Sequence, residues 1–172
     1  MIEKIKPLLE IQKLDIQISE IENSYKKLPE KISDINQIIN IEEKKIENLN
    51  QKVSELELAS KGYEKDVLEI EEKVKLIEEK LFSINSTKEF EALQKESGDL
   101  KRKKIEIEDS LIKVIEEIET KKEDSKKTQE NFESEILPMK GQIEELELEL
   151  DESKTEVESL SNQRLDLAKN AD

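Results

Sequence analysis

Apolar residues recur along this chain in alternating steps of three and four, which is the spacing of a coiled-coil seam. From Ile11 to Ile84, about 20 of the 22 seam positions are apolar. A stripe this narrow cannot enclose a globular core, so this first arm must pair with another helix. Upstream, Pro7 occupies the next seam position, and the first turn, including Ile2 and Ile5, is expected to pack in a shifted frame.

A second arm carries the same repeat from Phe90 towards the C-terminus. The repeat is interrupted once, where the step of four from Thr128 to Phe132 is followed by another step of four to Ile136. Such a stutter locally unwinds a left-handed supercoil.

The segment between the arms, Ile84 to Phe90, is the best candidate for a reversal of the chain. Ser86 and Glu89 have the spacing of a capping box, in which each side chain accepts a hydrogen bond from the other residue's backbone N–H. Asn85 tolerates the left-handed conformation that commonly ends a helix. The alternative is a chance match inside one continuous helix, because Ser-x-x-Glu is common in Glu-rich chains.

These patterns predict an all-α protein, a long antiparallel coiled-coil helical hairpin with its turn near residues 84–88. The first arm covers about residues 1–84 and the second about 87–171, within a single domain of residues 1–172. Facing residues should have numbers that sum to about 174, which returns Asp172 to the neighbourhood of Met1.

Pro29, Pro138 and Gly141 predict interruptions of the helices. The heptad phase continues through Pro29, which favours a kink or a short break between nearly collinear helices. Pro138 and Gly141 follow the stutter directly, so we expect the second arm to be kinked or interrupted there as well. In the predicted register both arms are interrupted at nearly the same level, so we interpret these residues as a hinge.

Charge supports the antiparallel register. The basic run at residues 101–104 falls opposite the neighbourhood of Asp66, Glu69, Glu71 and Glu72. Opposite charges beside a seam favour one pairing over others. Each exposed pair contributes only a few tenths of a kcal/mol.

One part of the seam is mismatched. Residues 119–131 contain no apolar residue, whereas the first arm opposite offers Ile46, Leu49, Val53 and Leu56. Either the long stems of the four lysines in this segment cover the stripe, or the stripe binds a partner. A second copy of the chain, giving a homodimer, is one candidate for that partner.

Composition changes the functional expectations more than the fold. Of 172 residues, 42% are charged and only 3% are aromatic, which fits long helices and not a globular core. A formal charge of -15 argues against direct binding to nucleic acid, which needs a positive face. The chain has no Cys and no His, so thiolate, zinc-ribbon and Ser-His sites are excluded.

No apolar run has the length of a signal peptide or of a membrane span, so we expect a cytoplasmic protein without a membrane partner. The carboxylates at residues 144–152 lack an accompanying base, cleft or Gly-rich loop, and no EF-hand spacing is present. We therefore expect no enzyme activity and no cofactor. At the turn, Phe90 and Leu93 are interpreted as seam residues; alternatively, Lys88, Glu89 and Phe90 present an aromatic anchor to a partner.

Two stretches, residues 8–22 and 84–96, resemble a bacterial family with an N-terminal helical hairpin and a C-terminal four-cysteine zinc ribbon. The resemblance implies an adaptor or chaperone in flagellar and type III secretion biology that binds sigma-54 and, in some members, messenger RNA. This sequence departs from the family pattern because no Cys-x-x-Cys pair is present. Zinc or nucleic-acid activity tied to the ribbon therefore does not carry over to these residues.

Three hypotheses follow. The first is a cytoplasmic adaptor whose hairpin presents helical faces and a tip to protein partners, by resemblance sigma-54 or secretion and flagellar components. The second is a purely structural homodimeric coiled coil formed by one nearly continuous helix. The third is a nucleic-acid factor that depends on a missing zinc ribbon.

Overall fold

The computed structural model describes residues 2–170, and these residues form helices joined by two short connections, with no strand among them. The helices are α1 (Ile2–Tyr25), α2 (Leu28–Leu81), α3 (Thr87–Asn131), a five-residue π-helix (Phe132–Ile136) and α4 (Leu137–Asn170).

The chain folds as a coiled-coil hairpin, which confirms the predicted fold class. The first arm consists of α1 and α2, and the second of α3, the π-helix and α4. The turn occupies residues 82–86, two residues earlier than the sequence suggested. The predicted end of the second arm at residue 171, and the predicted approach of Asp172 to Met1, lie outside the described residues.

Contacts group the chain into two compact units. One contains residues 2–43 and 130–170, and the other contains Lys44–Gln129. Each unit pairs a segment of the first arm with a segment of the second.

In the unit formed by residues 2–43 and 130–170, the core is a cluster around Ile39, Ile136 and Ile143. Four partly buried residues that the heptad repeat also placed in the seam pack against this cluster: Ile32, Ile35, Phe132 and Met139. Further along the same unit, Arg164 forms an ion pair with Asp15.

The first turn of α1 does not pack in a shifted frame as expected. Ile2 and Ile5 are both exposed, whereas Pro7 is half-buried. The seam frame itself extends to Pro7, and in that frame Ile2 and Ile5 fall on the outer side of the helix.

In the unit Lys44–Gln129, Leu56, Ile70 and Ile77 are the buried apolar residues of α2, and Ser97 is buried on α3. All four lie at positions that the heptad repeat assigned to the seam. The repeat of alternating steps of three and four therefore identified the buried face correctly on both arms.

Ion pairs between the arms confirm the predicted register in this unit. Lys104 Nζ lies 3.0 Å from Glu71 Oε1, and Lys101 Nζ lies 3.3 Å from Glu78 Oε1. The basic run on α3 thus meets acidic residues of α2, within about one helical turn of the expected alignment. The lysine side chains are at least partly solvated, so their contribution is mainly to the choice of register.

The interruption at Pro29 is a two-residue turn. Lys26 and Lys27 separate α1 from α2, and Pro29 is the second residue of α2. The Pro29 nitrogen carries no hydrogen and cannot donate to the Tyr25 carbonyl. Proline is nevertheless tolerated there, because N–H groups in the first turn of a helix have no partner within the helix. Backbone bonds on either side, including Lys26 N–H to Glu22 O at 3.0 Å, keep the helical path.

The interruption in the second arm is the π-helix, and it coincides with the stutter. The N–H of Leu137 donates to the Phe132 carbonyl, five residues back. Pro138 has no N–H, and in a regular α-helix its ring would clash with the carbonyl of Ser134. The wider π turn accommodates the extra residue of the stutter and brings Ile136 into the core.

The kink or interruption expected near Pro138 is thus a π-helical turn just before it, within a continuous helical arm. Gly141 lies inside α4 without a positive φ. The role of Pro29, Pro138 and Gly141 as a moving hinge stays a prediction.

Candidate protein-binding surfaces

The turn between the arms is built from local hydrogen bonds at its two ends. At the end of α2, both the N–H and the Oγ of Ser83 donate to the Lys80 carbonyl at 3.1 Å. At the start of α3, the Phe90 N–H donates to the Ser86 carbonyl at 3.1 Å, which makes Ser86 the N-cap.

Two details of the predicted turn are wrong. Asn85 does not adopt a left-handed conformation, because no described non-Gly residue has a positive φ. The reversal is spread over residues 82–86 and does not depend on one strained residue. The reciprocal side-chain bonds of Ser86 and Glu89 are also not formed; both side chains are exposed, so water can satisfy the free backbone N–H groups there.

The turn carries two exposed aromatic side chains. Phe82 is 94% exposed and Phe90 is 38% exposed. Together with Leu81 and Glu78 they line an open cleft of about 340 Å³. We call these four residues the tip cleft. Phe90 also borders a smaller depression of about 190 Å³, which residues 84–87 line as well.

The sequence identified only part of this surface. Lys88 and Glu89 are exposed beside Phe90, as the tip hypothesis requires, and Leu93 is half-buried in the seam. Phe82 was missed because it falls just outside the seam and just before the assumed turn. An aromatic residue at an outer position next to a turn was the available signal.

The stripe Ile46, Leu49, Val53 and Leu56 is not a free surface. Leu56 is 8% exposed, and the other three residues are half-buried. Half-buried residues of α3 lie at the seam positions opposite, among them Lys121, whose long side chain can cover apolar surface.

A hydrogen bond and an ion pair complete this cover. Ser125 Oγ donates to Asn50 Oδ1 at 3.0 Å, and Lys122 Nζ lies 3.1 Å from Glu57 Oε1. Polar side chains of α3 thus lie against the seam opposite the stripe, and the binding of a partner by the stripe stays a prediction.

A groove of about 390 Å³ lies between α2 and α3 and is lined mainly by paired charges. Lys104 is one of its lining residues, and its Nζ lies 3.0 Å from Glu71 Oε1 and 3.6 Å from Glu108 Oε1. The hydrogen bond from Lys104 to Glu71 is the main cause that raises the pKa of this lysine above its ordinary value. A cation held in this way is a structural partner of the carboxylates and not a proton donor near neutral pH.

Within residues 2–170, no group of His, Cys, Asp and Glu side chains is arranged to hold a metal ion. In the same part of the chain, no helix has the length and apolarity needed to cross a membrane.

The family can be assigned from the sequence that builds this hairpin. Residues 11–172 match the CT398-like coiled coil hairpin domain. The chain belongs to this family. The match includes the seam, the turn, both proline-associated irregularities and α4, and leaves out only the first ten residues.

Two solved structures share the fold of this CT398-like hairpin. CT398 from Chlamydia trachomatis is 22% identical with a TM-score of 0.89, over 99% of this chain and 72% of its own. HP0958 from Helicobacter pylori is also 22% identical, with a TM-score of 0.65, over 97% of this chain and 70% of its own. At this level of identity the likeness shows the fold alone. No curated protein sequence matches the chain.

Proposed function

We propose that this CT398-like hairpin is a non-enzymatic adaptor or chaperone of the cytoplasm that binds protein partners at its turn. The observation that carries the proposal is the exposure of Phe82 and Phe90 around the tip cleft. Two aromatic rings on a surface that is otherwise highly charged form the kind of anchor that dominates protein interfaces.

The surroundings of the cleft favour a protein partner. Glu78, which lines the cleft, forms an ion pair with Lys101, whereas the side chains of Lys88 and Glu89 make no ion pair or hydrogen bond among the described residues. An apolar centre with charged residues of both signs next to Phe90 in the chain has the composition of a small protein interface. A nucleic acid would need a positive surface, and the chain carries a formal charge of -15.

The more specific part of the proposal comes from the family resemblance of residues 8–22 and 84–96. On this support we propose that the adaptor acts in flagellar or type III secretion assembly and in the regulation of sigma-54. The second of these stretches contains part of the turn and Phe90, so the resemblance and the exposed anchor fall on the same segment.

The experiment measures binding of purified sigma-54, and separately of flagellar and secretion components, by titration calorimetry. We expect the double substitution Phe82→Ser with Phe90→Ser to weaken binding at least about tenfold, since an interface anchor is worth more than about 1.4 kcal/mol. The matched control is Leu58→Ser with Leu148→Ser, which removes two exposed apolar side chains away from the turn.

Equal loss of binding in the control and the tip variant would refute a specific role of the tip cleft. Absence of binding between the intact chain and every one of these partners would refute the assignment to sigma-54 and secretion biology.

A further inference from the structure

The outer face of α1 carries a second apolar stripe that the seam does not use. Successive residues of an α-helix are rotated by about 100°, which places Ile2, Ile5, Leu9 and Ile16 on the side of α1 opposite Ile11 and its seam neighbours. All four outer residues are exposed, with Ile2 at 77%.

Nothing in the described part of the chain covers this stripe. The unit packs α4 on the opposite side of α1, where Ile11, Leu14 and Ile18 are half-buried. Exposed Leu8 extends the apolar surface to one flank. Beyond Ile16 the same face continues with polar residues, so the apolar stripe has a defined end.

A row of alternating charges follows the other flank of the stripe. In chain order it reads Glu3, Lys6, Glu10 and Lys13, with steps of three and four that keep the four side chains on one side of the helix. All four are exposed, and none has an ion pair within residues 2–170.

We propose that this face of α1 is the interface of a homodimer in which two copies of the chain pack α1 against α1 in antiparallel orientation about a two-fold axis between Leu8 and Leu9. A two-fold interface must be self-complementary. In this arrangement Glu3 faces Lys13 of the second copy and Lys6 faces its Glu10, so the reversed charge row pairs every acid with a base. Ile2 packs near Ile16 of the second copy, and the two Leu9 side chains meet beside the axis.

Net charge also favours a second copy as the occupant. The chain as a whole carries -15, so most of its surface repels another copy and attracts a basic partner. Residues 2–16 contain three lysines and three acidic residues and are locally neutral. This stretch therefore allows self-association without like-charge repulsion at the contact.

The size of the stripe sets the strength of the dimer. Fifteen helical residues span about 23 Å. An interface of this length buries less than the roughly 1,200 Å² typical of stable complexes. The dimer is accordingly weak and dependent on protein concentration.

Sedimentation velocity on the intact chain, from low to high micromolar concentration, tests the proposal. We expect a reversible monomer–dimer equilibrium that Ile5→Glu with Leu9→Glu shifts at least tenfold towards the monomer. The matched control, Leu58→Glu with Leu148→Glu, changes two exposed leucines elsewhere and should leave the equilibrium unchanged. A monomer throughout the range, or equal effects in variant and control, would overturn the proposal.

A charge exchange tests the antiparallel geometry. Glu3→Lys with Glu10→Lys makes the row entirely basic, and Lys6→Glu with Lys13→Glu makes it entirely acidic. Each variant alone should be monomeric, and an equimolar mixture should form heterodimers. Homodimers of either variant, or failure of the mixture to associate, would refute the charge pairing. Circular dichroism of each variant verifies that α1 remains helical, and the tip cleft is unchanged in all of them.

Discussion

Leu56 and Leu58 lie two residues apart on α2 and have opposite environments, with 8% and 70% of their surface exposed. The difference follows from helical phase, since Leu56 occupies the seam and Leu58 the outer face. Composition cannot separate two such leucines, whereas the repeat of threes and fours can.

Leu56→Ala should lower the free energy of unfolding by about 2–3 kcal/mol, because it removes buried methyl and methylene groups and leaves a cavity beside the polar cover on α3. Leu58→Ala should change it by less than about 0.5 kcal/mol. Urea denaturation followed by circular dichroism measures both. A similar value for the two variants would mean that Leu56 is not buried by the second arm.

At the scale of the helices, sequence reasoning located the irregularities better than it described their form. The stutter at Phe132 and Ile136 marked the π-helix because an extra residue in the repeat must be absorbed somewhere. The heptad pattern could not show that the helix widens and does not break. The outcome depends on whether a wider turn can separate the Pro138 ring from the carbonyls of the preceding turn. At Pro29, by contrast, a two-residue turn is the expected response.

Gly141 provides a test at this scale. It lies inside α4 with no positive φ, and a Cβ placed on it would meet nothing within 4 Å. Gly141→Ala should therefore raise the free energy of unfolding by about 0.5–1 kcal/mol by restricting the unfolded chain. Gly62→Ala in α2 has the same open surroundings and serves as the matched comparison. Destabilisation by Gly141→Ala alone, measured by urea denaturation, would show that this position needs the freedom of glycine.

For the molecule as a whole, the sequence predicted the hairpin, its register and the location of its turn, because all three depend on apolar periodicity and on charge. It did not predict which apolar residues outside the seam stay exposed. Phe82 and the outer stripe of α1 became visible only when the second arm was in place, since exposure depends on what covers a residue and not on its type. The candidate surfaces were for this reason less predictable than the fold.

The division into two compact units makes a prediction about the whole molecule. The unit Lys44–Gln129 is one uninterrupted stretch of chain that contains the turn and the buried residues Leu56, Ile70 and Ile77. Because the paired segments are adjacent in the chain and joined by a short turn, the entropic cost of closing the hairpin is small. We expect a fragment of residues 44–129 to fold alone into a helical hairpin, with a lower melting temperature than the intact chain because it buries less apolar surface.

Thermal unfolding monitored by circular dichroism measures the melting temperature of the fragment and of the intact chain. Ile70→Asp in the same fragment is the control, and it should abolish the cooperative transition because it places an unpaired charge in the seam. The fragment should also remain monomeric at concentrations at which the intact chain dimerises, because it lacks α1 and the outer stripe. A fragment without a cooperative transition would show that the segments beyond Lys44 and Gln129 are needed for folding. A fragment that dimerises as strongly as the intact chain would place self-association outside α1.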